Sequence, residues 1–457
     1  MVVLGVPIGS RSFVDTFMEA RLDGISEMLE QIASVPSAHV QFFLLRNCVA
    51  FCRMVYFMRT IPPEIIKLRL GQFDDLIRVF FERLVHAPMT PAAWHQTSLP
   101  VARGGVGLRP AELHADAAYI ASSSASLAHV DAILKQDLST SVPAELQRAA
   151  EAYNELVNPT KRIHLMDDAT RNLFVQNTLS IAIEEKVEAT LKESFVGDRL
   201  NQLRLAHLSF PGNGAFLNVV PCPGLGLHLS NEEFSACISM RLGLRQHRIN
   251  ECKLCDQPLD DLAAHATALC KRGSCKHDRH KAIVDILLAA LRRAGYKPKT
   301  EPPGLLRNSN RKPADILIPV YFLNRPAAID VTVTTPLQRS TVTSNLLKAG
   351  SAAGKAERAK NGKYLAACLM ENMCFIPAAF ETYGFFGSRI RSLIQDIAYR
   401  IQQRTNTDYD VVIKRLSQKI SLAIQRFNAR AIIRRLKHPL WEEQPAPASD
   451  LVPLDLM

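Results

Sequence analysis

The stretch 311-RKPADILIPVYFLNRPAAIDVTVT-334 decides how the chain is read. Asp315 to Phe322 and Ala327 to Val333 are rich in β-branched and aromatic residues, and Leu323-Asn324-Arg325-Pro326 separates them. This pattern predicts a hairpin. Upstream, Arg279 to Ala294 repeats apolar residues at helical spacing (Ile283, Ile286, Leu287, Ala290, Leu291) and stops at Gly295. Downstream, Leu346 to Met373 reads as a long helix weakened by Gly350, Gly354 and Gly362, and Cys374 to Ile376 as a short strand. A helix, a hairpin, a helix and a strand predict a small α/β unit.

Asp315 opens the first strand and Asp330 lies on the second, so adjacent strands can bring two carboxylates to one end of a sheet. Close carboxylates repel unless a cation lies between them, and the pair implies Mg²⁺ or Mn²⁺ if both stay ionised. Such an ion polarises a phosphodiester and generates hydroxide from bound water, while a nearby lysine stabilises the charge that develops. Strand-end aspartates are also common in turns. The context that favours chemistry is a Cys/His cluster, a basic helix, the two aspartates and a lysine-rich helix, in that order.

The cluster is Cys252-Lys-Leu-Cys255, then His265 and Cys270, three thiolates and an imidazole suited to a closed structural Zn²⁺ site. Cys275, His277 and His280 are spare donors, so the fourth ligand stays open. Ten cysteines in 457 residues are too sparse for a disulfide scaffold. The chain is 47% apolar and carries a net charge of +11. Residues 271 to 363 hold 19 Lys and Arg against 6 Asp and Glu, so that segment is at +13 and the rest of the chain at −2. A basic field confined to one segment predicts a polyanion surface there, with Lys271, Arg272, Lys276, Arg279, His280, Arg311 and Lys312 as the contacts.

The rest of the chain sets the frame. Residues 1–206 predict helices broken at Ile61-Pro62-Pro63, Pro88 to Pro91 and Gly104 to Gly107. Residues 207–250 predict a Pro/Gly linker and a helix whose Ser230 and Glu233 form a capping signature. The Cys/His unit occupies 251–277, the α/β unit 278–400, and an amphipathic basic helix with its tail 401–457, with Arg426, Arg430, Arg434 and Arg435 expected to face solvent. The amino terminus lacks the basic flank and cleavage site of a signal peptide, and no window of about 18 uninterrupted apolar residues occurs, so an intracellular protein without a membrane span is expected. Phe73-Asp74-Asp75 is read as an ordinary helix face.

These residues resemble the carboxy-terminal part of a non-LTR (LINE-type) retrotransposon polyprotein, in which a reverse transcriptase is followed by a Cys-Cys-His-Cys knuckle and a restriction-enzyme-like endonuclease. Carrying the resemblance are Cys252, Cys255, His265 and Cys270, then Arg279-His280, Arg311 to Asp315, Asp330 to Val333, and the Glu357, Lys360, Lys363-Tyr364 cluster. Leu4 to Ser10, Trp94-His95-Gln96, Ser98-Leu99-Pro100 and Gly104 to Leu108 look like the thumb and connection region. The likeness spans residues 1 to 125 and 210 to 400.

It implies an α+β chain: a mostly helical first half, a small zinc knuckle, an α/β PD-(D/E)XK nuclease-like core and a helical tail. It also implies that Asp315 and Asp330 hold the divalent metal. Thr332 stands where the family pattern often has lysine, so Lys363 or Lys360, with Lys355 third, is expected to supply the amine from the following helix. Asp285, Glu357 and Glu381 are further carboxylates, each read as an ordinary helix or turn residue. No Tyr-x-Asp-Asp occurs, so polymerase activity is not expected. Three functions follow: a DNA-nicking endonuclease, an inactive nucleic-acid-binding module, or a mobile-element fragment with no cellular role. The partners implied are DNA and the element's RNA, in the nucleus, with the oligomeric state open.

Overall fold

The structure is a computed structural model that describes residues 1–134, 142–165, 174–210, 212–247, 249–307, 311–338, 342 and 348–437. The end of the predicted tail after residue 437 and residues 346–347, which open the predicted long helix, lie outside the described residues. The chain is α+β and divides into two compact units, residues 1–100 with 105–194, and residues 101–104 with 195–457.

The first unit carries a two-stranded hairpin, β1 (Val2–Val3) with β2 (Val6–Pro7), and eight helices among the described residues. These are α1 (Arg11–Ala33), α2 (Ala38–Leu44), α3 (Val55–Thr60), α4 (Pro63–Val85), α5 (Pro91–Ser98), α6 (Ala111–Leu134), α7 (Ala144–Leu156) and α8 (Gln176–Ser194). The expected breaks are there for physical reasons. Pro62 and Pro63 start α4, Thr90 caps α5 with Pro91 in its first turn, and Gly104 and Gly107 take positive φ. At Gly105 a Cβ would stand 1.9 Å from the Leu99 carbonyl oxygen, so no larger residue fits. Ala38–Thr60 is, by length and composition, apolar enough to cross a membrane, although polar residues interrupt its apolar runs. It is broken by a π-helical turn (Leu45–Val49) and a 3₁₀ turn (Phe51–Arg53), and it buries Phe42, Leu45, Val49, Met54 and Met58.

The second unit holds α9 (Arg199–Leu208), α10 (Asn231–Leu242), the Cys/His loop, α11 (Cys275–Arg293), β3 (Lys299–Thr300), β4 (Ile316–Ile318), β5 (Ala327–Thr334), α12 (Ser351–Met370), β6 (Cys374–Glu381), α13 (Ser388–Thr405) and α14 (Tyr409–Ile433). The boundary expected after residue 206 lies instead after 194. Leu203, Leu205 and Leu208 of α9 are buried in this unit, and Phe216, Leu217 and Val219 fold the Pro/Gly-rich stretch into it rather than leaving a linker.

The sheet order is β3-β4-β5-β6, with β3–β4 and β4–β5 antiparallel and β5–β6 parallel through the α12 crossover. Ile316, Ile318, Ile329, Val331 and Phe380 pack on α11, α13 and α14. The alternate residues Leu317, Ala328 and Phe375 pack on Tyr364 and Cys368 of α12. The predicted hairpin is present, but β4 is only three residues long: Pro319, which has no N–H for the ladder, follows it directly, and Leu323 and Asn324 take positive φ further along the connection. The last strand is longer than expected. β6 runs on through Pro377, which the strand tolerates because β6 is at the edge of the sheet and its outer side is bridged only further on, between Phe380 and Phe386.

Candidate active site and metal centre

The carboxylate cluster is built where β4, β5, α11 and α12 meet. Asp315 precedes β4 and is held on both sides of Asp330: its N–H donates to the Ile329 carbonyl at 2.9 Å, and its Oδ2 accepts the Val331 N–H at 2.6 Å. His280, in the first turns of α11, places Nε2 3.0 Å from the same Oδ2. That partnership raises the His280 pKa, against burial, which opposes the imidazolium. Glu301 joins the edge of the cluster, its N–H bonded to the Asp315 carbonyl at 3.0 Å.

Asp330 shares the sheet face of Ala328, the face that α12 covers. Lys360 of α12 reaches it, with Nζ 3.0 Å from Oδ1 and 2.8 Å from Oδ2. Asp330 is buried, and burial raises its pKa; Lys360 opposes the shift and the neighbouring Asp315 adds to it. Both oxygens of Asp330 face the Lys360 ammonium, whereas Asp315 uses only Oδ2 for its bonds. Asp315 Oδ1 keeps its lone pairs available to a cation.

Of the lysines considered, only Lys360 is paired with Asp330. Lys363 is exposed, with Nζ 4.7 Å from the centre of the Tyr364 ring, and Lys355 is exposed. Thr332 is half-buried two residues past Asp330. The extra carboxylates have other work. Glu357 caps α13 by accepting from Ser388 Oγ and Arg389 N–H, and Glu381 is fully buried between His207 Nδ1 at 2.7 Å and Ala353 N–H at 2.9 Å. Asp285 is exposed on α11.

The four expected Cys/His donors also converge. One ligand atom from each of Cys252, Cys255, His265 and Cys270 lies within 4.8 Å of every other. Cys255 Sγ is 3.7 Å from Cys270 Sγ, close to the ~3.8 Å edge of a tetrahedron with ~2.3 Å zinc–sulfur bonds. The group fits a metal such as zinc. The backbone sets it up locally: Asp256 takes positive φ to close the Cys252–Cys255 turn, and Asp260 caps the His265 turn by accepting from Ala264 and His265 N–H. The spare donors are placed elsewhere. Cys275 Sγ lies 3.4 Å from Arg434 Nη1, His280 bonds Asp315, and His277 is exposed.

The expected nucleic-acid contacts divide. Lys271, Arg272, Arg311 and Lys312 are exposed and Lys276 is half-buried. Arg279 is not a surface contact: it is 2% exposed, bonds the Thr267 carbonyl and Asn428 Oδ1, and has its pKa pulled down to about 10 by burial. His280 faces Asp315, a role that sequence reasoning missed. The basic tail helix differs from expectation in part. Arg430 and Arg434 are exposed as expected, pairing with Glu233 and Asp278, but Arg426 is half-buried beside Glu233 and Arg435 is fully buried, bonding the Ala431 and Arg272 carbonyls.

No protein-family model matches the chain. No curated protein matches it either.

Proposed function

We propose that the second unit is a metal-dependent DNA endonuclease of the PD-(D/E)XK kind, preceded by a zinc knuckle and related to those of non-LTR retrotransposons. The observation that carries this reading is the convergence of Asp315, Asp330 and Lys360 on a helix–three strands–helix–strand core inside the most basic segment of the chain. Asp315 would hold Mg²⁺ or Mn²⁺ through the Oδ1 that its hydrogen bonds leave available, and Asp330 would join it by giving up part of its pairing with Lys360. Bound there, the ion would polarise the phosphodiester and lower the pKa of a water. His280 fixes the orientation of Asp315 by its bond to Oδ2. Lys360 sits on the second carboxylate, where its ammonium can turn to the charge developing on the phosphate or position the attacking water. Lys271, Arg272, Arg311 and Lys312 give the polyanion an exposed basic rim, and a DNA substrate implies nuclear residence.

The test is nicking of supercoiled plasmid by the purified chain in Mg²⁺, with chelator as control. Asp330→Ala should abolish nicking and Lys360→Ala should slow it by about 10²-fold. Full activity in Asp330→Ala defeats the assignment. A second reading, a binding module that does not cut, is favoured by Thr332 in place of a strand lysine. It expects salt-sensitive DNA binding with no Mg²⁺-dependent product.

A further inference from the structure

The β4–β5 connection ends in an apolar point that the fold does not use. Phe322 is 64% and Leu323 75% exposed, with Val320 beside them at 59%. Leu323 has φ 52° and ψ 39°, and Asn324 follows with φ 57°. The left-handed region costs a leucine roughly 1 kcal/mol or more, and a solvated turn would ordinarily place glycine or asparagine there.

The loop is nevertheless well pinned. Tyr321 N–H bonds the Arg325 carbonyl at 2.9 Å, Arg325 N–H bonds the Phe322 carbonyl at 3.1 Å, and Arg325 Nε bonds the Asn372 carbonyl at 3.2 Å. The Tyr321 ring packs against Tyr296, and the Arg400 guanidinium lies 4.5 Å from the centre of the Tyr296 ring. A strained, braced turn thus holds two large apolar side chains out into water.

The charge around this point selects its occupant. Residues 316 to 329 contain no acid, Arg325 is in the loop, and Lys297 is exposed next to Tyr296. The carboxylates at the loop's base are engaged: Asp396 by Tyr296 Oη and Arg400, Glu371 by Arg307. Position selects it too. β5 runs from the loop to Asp330 in the three residues from Ala327, about 10 Å or roughly three base-pair steps. A duplex engaged at Asp330 has the length to reach the loop.

We infer that Phe322 and Leu323 form a wedge that inserts between base steps of duplex DNA and kinks it, beside the site proposed above, and for its substrate the wedge rests on that reading. Apolar wedges framed by cations unstack and bend DNA by pushing a base step apart while the cations hold the phosphates.

The experiment uses the full chain and a 30-base-pair duplex carrying a donor and an acceptor fluorophore at its ends, with Ca²⁺ replacing Mg²⁺ to hold the complex uncut. Wild-type protein should raise energy transfer on binding. Phe322→Ser with Leu323→Ser should abolish that rise, weaken binding about tenfold and leave the salt slope unchanged. Leu323→Gly, which relieves the backbone, should keep or raise Tm while reducing the rise, so misfolding cannot account for the loss.

The wedge is overturned if wild-type binding leaves energy transfer unchanged, or if the double variant bends DNA as wild type does. It is also overturned if the substitutions act only by dissociating a self-associated chain in sedimentation. Asp330→Ala should bend without cutting. Bending by a wild-type chain that never cuts would defeat the nuclease reading and leave the wedge standing.

Discussion

Lys360 and Lys363 are three residues apart on one helix, yet only Lys360 reaches Asp330. Helical phase explains the choice: Ala353, Glu357, Tyr364 and Cys368 form the buried stripe of α12, and Lys360 falls on that line. The same reasoning moves Arg279, four residues before buried Ile283 and eight before Leu287, from the surface to the interior. Asp74 departs from an ordinary helix face in a similar way. Its two oxygens accept the Ala111 and Glu112 N–H groups at 2.7 and 2.9 Å and cap α6, while burial pushes its pKa up to about 7 against those bonds. An acid that binds its proton more tightly when folded contributes most below its unfolded pKa, and that contribution is lost as pH rises through the folded value. The Asp74 contribution to the stability of the first unit should therefore fall between about pH 4 and pH 7, with Asp116, raised by burial to about 6, adding in the same direction and His114, whose pKa burial lowers, opposing them. At pH 4, where Asp74 is protonated in the fold, Asp74→Asn should lower stability by about 1 kcal/mol through loss of one cap bond, and in urea titrations it should make the change of stability from pH 4 to pH 7 less negative than in wild type.

Among elements, the Cys/His loop and α14 depend on each other. The buried Arg435 guanidinium holds the Arg272 carbonyl, and the Lys253 N–H bonds the Arg435 carbonyl at 2.9 Å, so the end of the last helix is fastened to the metal loop. The loop buries Leu259, Leu262 and small alanines besides its ligands, and metal binding would add to the stability this gives it. Purified chain should carry about one zinc per molecule at this site, by metal analysis. A strong chelator or Cys255→Ser should lower the unfolding midpoint of the second unit by several degrees, and a midpoint indifferent to both would exclude a structural metal there. Arg435→Ala should destabilise that unit by about 3 kcal/mol, chiefly from the carbonyls it leaves unbonded in the interior.

At the scale of the whole molecule, the charge and the candidate site share one unit. The first unit is helical, whereas the +13 segment lies wholly in the second, with Asp315, Asp330 and Lys360 inside it. On the proposed nuclease reading, DNA affinity should fall linearly in log–log against salt. Replacing Lys271, Arg272 and Lys312 together by alanine should reduce that slope by about 0.9 for each phosphate that is no longer neutralised, measured by fluorescence anisotropy. An unchanged slope would remove these residues from the interface.

The elements of this fold are legible in the residue pattern because alternation and helical spacing are local: the hairpin, α11, the capping box of α10 and the four Cys/His donors all follow from short-range chemistry. Boundaries and partners are not local. The Pro/Gly-rich stretch after α9 looks like a linker until its apolar residues find the second unit's core, and Pro377 looks like a strand end until β6 proves to be an edge. Which lysine meets Asp330, that His280 holds Asp315, and that Arg279 and Arg435 are interior depend on the packing of α11, α12 and α14. Sequence determines which side chains are able to carry charge, bind metal or fill a core. Tertiary structure decides which of them meet, because distances between residues far apart in the chain are set by how the buried faces of separate elements fit together.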